Sequence, residues 1–190
     1  MTTTSLYRLA GWAGLIGGVL LLVAVARRGG LIPENALTHA MAPPASALTL
    51  FTLTAIYLYQ RDRVGRLGLV GYSVNLLGLA GLFAIEFATH AIFPYLSPET
   101  RDELLDGPTR VWFLAVAVTF LVGVLTLGVA SLRARALPAP AFVLYIAGFA
   151  PASLRGIVPE AVYLGGLTVG ALGVLWLSAV LARVVDRRPA

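Results

Sequence analysis

Glu86 and His90 stand four residues apart, and the chain of 190 residues holds only one other histidine, His39. A helix advances about 100° per residue, so the carboxyl and the imidazole share a face, and Tyr72 and Asn75 fall within about 60° of them. All four lie in the apolar run Gly68 to Tyr95, GLVGYSVNLLGLAGLFAIEFATHAIFPY. At that length the run crosses a bilayer, where ionisable side chains must face protein or a wet cavity. Such a stripe supports three kinds of chemistry. Glu86 and His90 can bond to each other while Asn75 bonds a neighbouring backbone, which fixes packing. Burial also brings the proton affinities of a carboxylate and an imidazole closer together, so the pair can exchange protons in a wet cavity. With His39, the ligand types become those of a two-histidine, one-carboxylate zinc or iron centre, or of a haem held by His39 and His90. No metal or haem motif surrounds either histidine, so no cofactor is assigned.

The elements that position these residues follow from composition. The chain is 58% hydrophobic and 12% charged, far from the roughly 25% charged residues of a soluble domain. Spans of about 20 residues divide the apolar runs into six helices and leave only short loops, which predicts one domain, an all-α membrane bundle. The spans are expected at about 9–26, 38–59, 68–95, 111–132, 139–154 and 161–181. Ala24-Val25-Ala26 mimics a signal-peptide cleavage site, but the first run exceeds a typical h-region and two arginines follow it, so a retained helix is expected. Pro43 and Pro44 predict that the second helix either starts late or kinks. Residues 60–66 read as a tight basic turn, so the second and third helices form an antiparallel hairpin with His39 near the outer end of the third. Ser97-Pro98-Glu99 and Gly107-Pro108 bracket a short surface helix over about 98–106. The fifth run is short and holds Pro151.

All 14 basic residues are arginines, and they stand at the ends of apolar runs rather than in a patch interleaved with aromatics, which excludes nucleic acid as a partner. Arginines 8, 61, 63, 66, 133, 135, 183, 187 and 188 share one side of a six-span bundle, and the other five lie opposite with most of the acids. The positive-inside rule then places both termini in the cytoplasm. Cysteine is absent, which excludes a disulfide, a thiolate nucleophile or a cysteine metal site within the chain. No nucleophile stands with its base, and GLVGYS at 68–73 lacks dinucleotide spacing. Arg155 and Glu160 flank Pro159 and read as anchors of the last outer loop. Gly14 and Gly18, and Gly166 and Gly170, make GxxxG pairs that admit close helix packing.

The segments YRLAGWAGLIGGVLLLVA at 7–24, GRLGLVGY at 65–72, AIEFATHAIFPYL at 84–96 and SLRARALPAPAFVLYIAGF at 131–149 resemble small multi-span bacterial membrane proteins, often actinobacterial, of a domain-of-unknown-function family. The usual tryptophan after the proline of the last segment is absent. That resemblance implies an inner-membrane location and brings no established activity. The expected function is a non-enzymatic membrane protein that packs with lipid or with another membrane protein. A small proton-linked carrier using Glu86 and His90, and an intramembrane metal enzyme, stay open as alternatives.

Overall fold

A computed structural model describes residues 3–184. Helix α1 spans Thr3–Arg28 and ends two residues before Gly30, whose φ of 71° turns the chain. Asn35 then opens the short α2, Ala36–Ala40: its side chain accepts from the Thr38 amide, and the Thr38 hydroxyl accepts from the Asn35 amide. That reciprocal cap satisfies two otherwise orphaned donors, which is how five residues hold a helical turn. Helix α3, Ala42–Phe87, carries Pro43 and Pro44 in its first turn. There a missing N–H breaks no intrahelical bond, so the prolines start this helix instead of kinking it.

At Gly65 the backbone takes φ 60° and ψ −159°, a combination open to glycine alone. Helical structure continues on both sides, and Gln60 is buried, so the expected seven-residue turn is in fact one residue of reversal. The two arms of α3 run antiparallel. Thr54 meets the Tyr72 hydroxyl at 3.2 Å, and the Tyr57 and Tyr72 rings stack 4.3 Å apart. The second arm ends in a π-helical turn, Ala88–Ile92, and a 3-10 turn, Phe93–Tyr95. Ser97 caps α4, Pro98–Asp106, the expected surface helix, and Gly107 separates it from Pro108 at the start of α5, Pro108–Ala134. Helix α6, Ala139–Ala152, keeps Pro151 in its last turn, and α7 is Glu160–Ala182.

Counting the arms of α3 separately, six helical rods close into a ring. α1 lies between the first arm of α3 and α7, α7 meets α6, α6 meets α5, and α5 packs on the second arm of α3. Glycines make these contacts close: a Cβ at Gly148 would lie 2.1 Å from the Gly170 amide nitrogen, and one at Gly78 would lie 2.4 Å from the Phe120 Cα. Of the two GxxxG pairs, Gly14 and Gly18 face Ser178 and Leu175 of α7, and Gly166 and Gly170 face Gly148 and Phe149 of α6. Both pairs pack inside the bundle.

Leu53, Ile56, Leu79, Phe120, Tyr145, Phe149 and Val174 surround a central cavity of only about 20 Å³. The outer face is apolar, with Trp12, Ile16, Val19, Leu77, Leu114 and Val118 all exposed. Four helical segments are long and apolar enough to cross a membrane: α1, the stretch Ala36–Tyr95 that contains both arms of α3, α5 and α7. The shorter α6 is apolar over 14 residues.

Candidate functional site

The apolar run of α1 ends in two arginines that turn back into the bundle. Arg27 and Arg28 have side chains only 3% and 13% exposed. A guanidinium cannot shed its charge at ordinary pH, so burying one requires acceptors on the neighbouring elements. Arg28 reaches α3 and α7: Nη2 donates to Glu86 Oε1 at 2.5 Å, and Nη1 donates to the Tyr163 hydroxyl at 2.9 Å. The Arg155 guanidinium lies 5.1 Å over the Tyr163 ring and covers this contact from the loop after α6. Arg27 faces the other way. Its Nη1 donates to Glu34 Oε1 at 3.1 Å and lies 3.3 and 3.4 Å from the two ring nitrogens of His39, while Nη2 is 3.3 Å from His90 Nε2.

Two histidines complete the cluster. His39 Nδ1 and His90 Nδ1 are 2.8 Å apart, and His90 Nε2 is 3.1 Å from Glu86 Oε2. The capped turn of α2 fixes His39, and the Thr38 hydroxyl also reaches the Pro33 carbonyl, which ties down the loop carrying Glu34. The π-helical turn after α3 carries His90. Such turns widen a helix by one residue and recur where a side chain must be re-aimed.

The partners assign the protons. A carboxylate only accepts and a guanidinium only donates, so the shorter contact of His90 Nε2 makes it an N–H donor to Glu86. His90 Nδ1 then accepts the single proton of the Nδ1 to Nδ1 contact from His39, leaving His39 Nε2 free to accept from Arg27. Around the two imidazoles, two guanidiniums face the two carboxylates of Glu34 and Glu86. The result is one directed hydrogen-bonded chain, Arg27 to His39 to His90 to Glu86, closed by Arg28 and Tyr163.

The structure brings together three of the five sequence-predicted residues, His39, Glu86 and His90. It places the other two elsewhere. Asn75 is fully buried and donates to the Tyr145 hydroxyl of α6 at 2.6 Å, with Gly123 of α5 against its backbone. Tyr72 bonds Thr54 and stacks on Tyr57 across the α3 hairpin. The single stripe expected from helical periodicity is divided because different neighbours meet it at different depths.

Arg27, Arg28 and Tyr163 join the cluster unannounced by the sequence, since a pair of arginines after an apolar run has the form of a headgroup anchor. The partners of Arg28 lie 58 and 135 positions away and leave no local signal. As for a metal, no group of three histidine, aspartate or glutamate side chains among the described residues is arranged to hold one. The histidine nitrogens stand at hydrogen-bond separation, with Arg27 against both rings. No family model, curated protein or solved structure matches the chain.

Proposed function

We propose that the chain is a multi-span integral protein of a bacterial cell membrane, with both termini cytoplasmic, that acts without catalysis by packing with lipid or another membrane protein. The observation that carries this reading is the mutual pairing of the ionisable side chains gathered at the end of α1. Arg27, Arg28, His39, Glu86 and His90 all have partners inside the cluster, and only Glu34, 64% exposed, extends well into solvent. A network closed in this way joins α1, α2, α3 and α7 at one end of the bundle.

The inward turn of Arg27 and Arg28 supports the orientation. Of the five arginines on the predicted outer side, it leaves only 101, 110 and 155 to weigh against the nine on the other. The test pairs E86Q and H90A in protein reconstituted into liposomes. A packing role predicts lowered melting temperatures and no ion or proton flux in wild type or variants.

A second reading, a proton-linked carrier, is favoured by one specific observation, the unbroken chain from half-buried His39 to Glu86. It predicts acidification of a pH-sensitive dye inside wild-type liposomes under a proton gradient. H90A and E86Q would abolish that flux while remaining folded. Flux of that kind would displace the packing role.

A further inference from the structure

The opposite end of the bundle carries a feature that the charged cluster does not explain. At the end of α5, Arg135 takes a left-handed conformation with φ 49°. The chain there reverses sharply enough for Leu137 to return to the core, where it is 5% exposed. Left outside the reversal is an open hollow of about 500 Å³ lined by Val129, Leu132, Arg133 and Arg135. Both arginines are exposed, and neither has an acidic partner among the described residues. Asp62, the acid of the neighbouring turn, pairs with Arg61. Gln60 donates to Ser131 at 2.7 Å, which ties the first arm of α3 to the buried side of the end of α5.

Below the hollow runs an uninterrupted apolar track. Val118, Val122, Leu125 and Val129 are the exposed residues of successive turns of α5, at alternating four- and three-residue spacing, and the next step reaches Leu132 and Arg133. From Val118 to Arg133 the track is about 22 Å long, more than the roughly 15 Å of hydrocarbon in one leaflet. Two cations at headgroup level above a straight apolar track complement one kind of molecule, an anion that carries its own acyl chain.

We propose that this hollow is a binding site for an anionic phospholipid. Arg133 and Arg135 take its phosphodiester, and an acyl chain lies along Val129, Leu125 and Val122. Guanidiniums suit this role because their planar forks donate two hydrogen bonds to one phosphate. The left-handed turn at Arg135 is the positioning device, since a helix continued past Ala134 would carry the second guanidinium off around the axis. The site deepens the lipid-associating reading above and rests on the membrane insertion it assumes.

Full-length protein purified in detergent is loaded with phosphatidylglycerol, phosphatidylcholine or inorganic phosphate, and bound lipid is counted by native mass spectrometry. Two variants are compared with wild type: R133Q/R135Q, and R61Q/R63Q as a control with equal charge loss at the same end. Two arginines at a headgroup are each worth about a fivefold change in affinity, so R133Q/R135Q should weaken phosphatidylglycerol retention about tenfold to thirtyfold. R61Q/R63Q should retain it. Phosphatidylcholine and inorganic phosphate should bind weakly to all three proteins, because each lacks either the net charge or the acyl chain.

Equal losses in the two variants would overturn the site, leaving only a diffuse basic surface. Tight binding of inorganic phosphate alone would overturn the lipid assignment. Membrane insertion is scored separately by resistance to alkaline carbonate extraction of the expressing cells. A chain that extracts defeats the membrane reading itself, whereas one that resists while its variants bind lipid equally defeats only the site.

Discussion

The two ends of the bundle are built from the same residue type and use it in opposite ways. At one end Arg27 and Arg28 are drawn inward onto Glu34, Glu86, Tyr163 and two histidines, and the charges cancel within the protein. At the other, Arg61, Arg63, Arg66, Arg133 and Arg135 stay exposed with Asp62 as the acid among them. The cause lies in the neighbours. Acceptors on α3 and α7 face the end of α1, so its guanidiniums can leave water without being left unpaired. Among the described residues the one ion pair at the Gly65 end is Arg61 with Asp62, and the exposed guanidiniums there keep their hydration. An arginine at a helix end is therefore an anchor or a clasp according to what the adjacent helices present.

The largest effect that would break this contrast comes from E86A. It leaves the Arg28 guanidinium buried without its carboxylate, at a cost of about 3 kcal/mol, read as a fall in the thermal midpoint in detergent. Replacing both partners, R28M with E86Q, should recover much of that loss, because two uncharged side chains leave no stranded ion. A double variant as unstable as E86A would show that the packing of Arg28, rather than its charge, holds the end together.

Next in size, N75A should cost about 1 kcal/mol by stripping the Tyr145 hydroxyl of its partner in the bundle interior. The same melting measurement checks it. Removing exposed charge at the Gly65 end, R61Q or R133Q, should move stability in lipid-free detergent by no more than about 0.5 kcal/mol. A large loss from R133Q would erase the distinction between the ends.

The smallest effect lies in α4. The Glu99 carboxyl, fully exposed, is held below the ordinary carboxylate range by its own backbone N–H and by the Ser97 hydroxyl. A carboxylate favoured in the fold stabilises above its unfolded pKa, near 4.3, and that contribution is lost as pH falls through the lower folded value. Titrating Glu99 by NMR should therefore show a midpoint below that of a free glutamate. The depression should shrink in S97A.

Much of this architecture is legible in the amino-acid sequence, because lipid imposes a simple rule on long apolar runs. The surface helix at 98–106 has its expected bounds, and the spans starting at 111 and 161 fall within three residues of α5 and α7. Two features escape for a shared reason. A seven-residue basic stretch has the form of a loop, yet a single glycine at 65 suffices to reverse the chain, and helix persists through Arg61 and Arg63. The pairing of Arg28 with Glu86 and with Tyr163 is equally invisible to local pattern, since it depends on which rods become neighbours in the ring. Glu86, His90 and His39 were legible because spacing on one helix and a hairpin put them together; Asn75 and Tyr72 were not, because their partners come from different sides.

The brevity of α6 bears on the surrounding bilayer. At about 1.5 Å per residue its 14 residues reach about 21 Å, some 9 Å short of a typical hydrocarbon core. The segment that follows, Ser153 to Pro159, closes its own turns, with the Ile157 and Val158 amides both bonded to the Leu154 carbonyl. In a bilayer of that thickness, lipids bordering α6 would meet a wall too low for them and would shorten, drawing headgroups toward exposed Arg155. In a bilayer, this side of the bundle would be the thin one, and hydrophobic mismatch there would favour a thinner membrane.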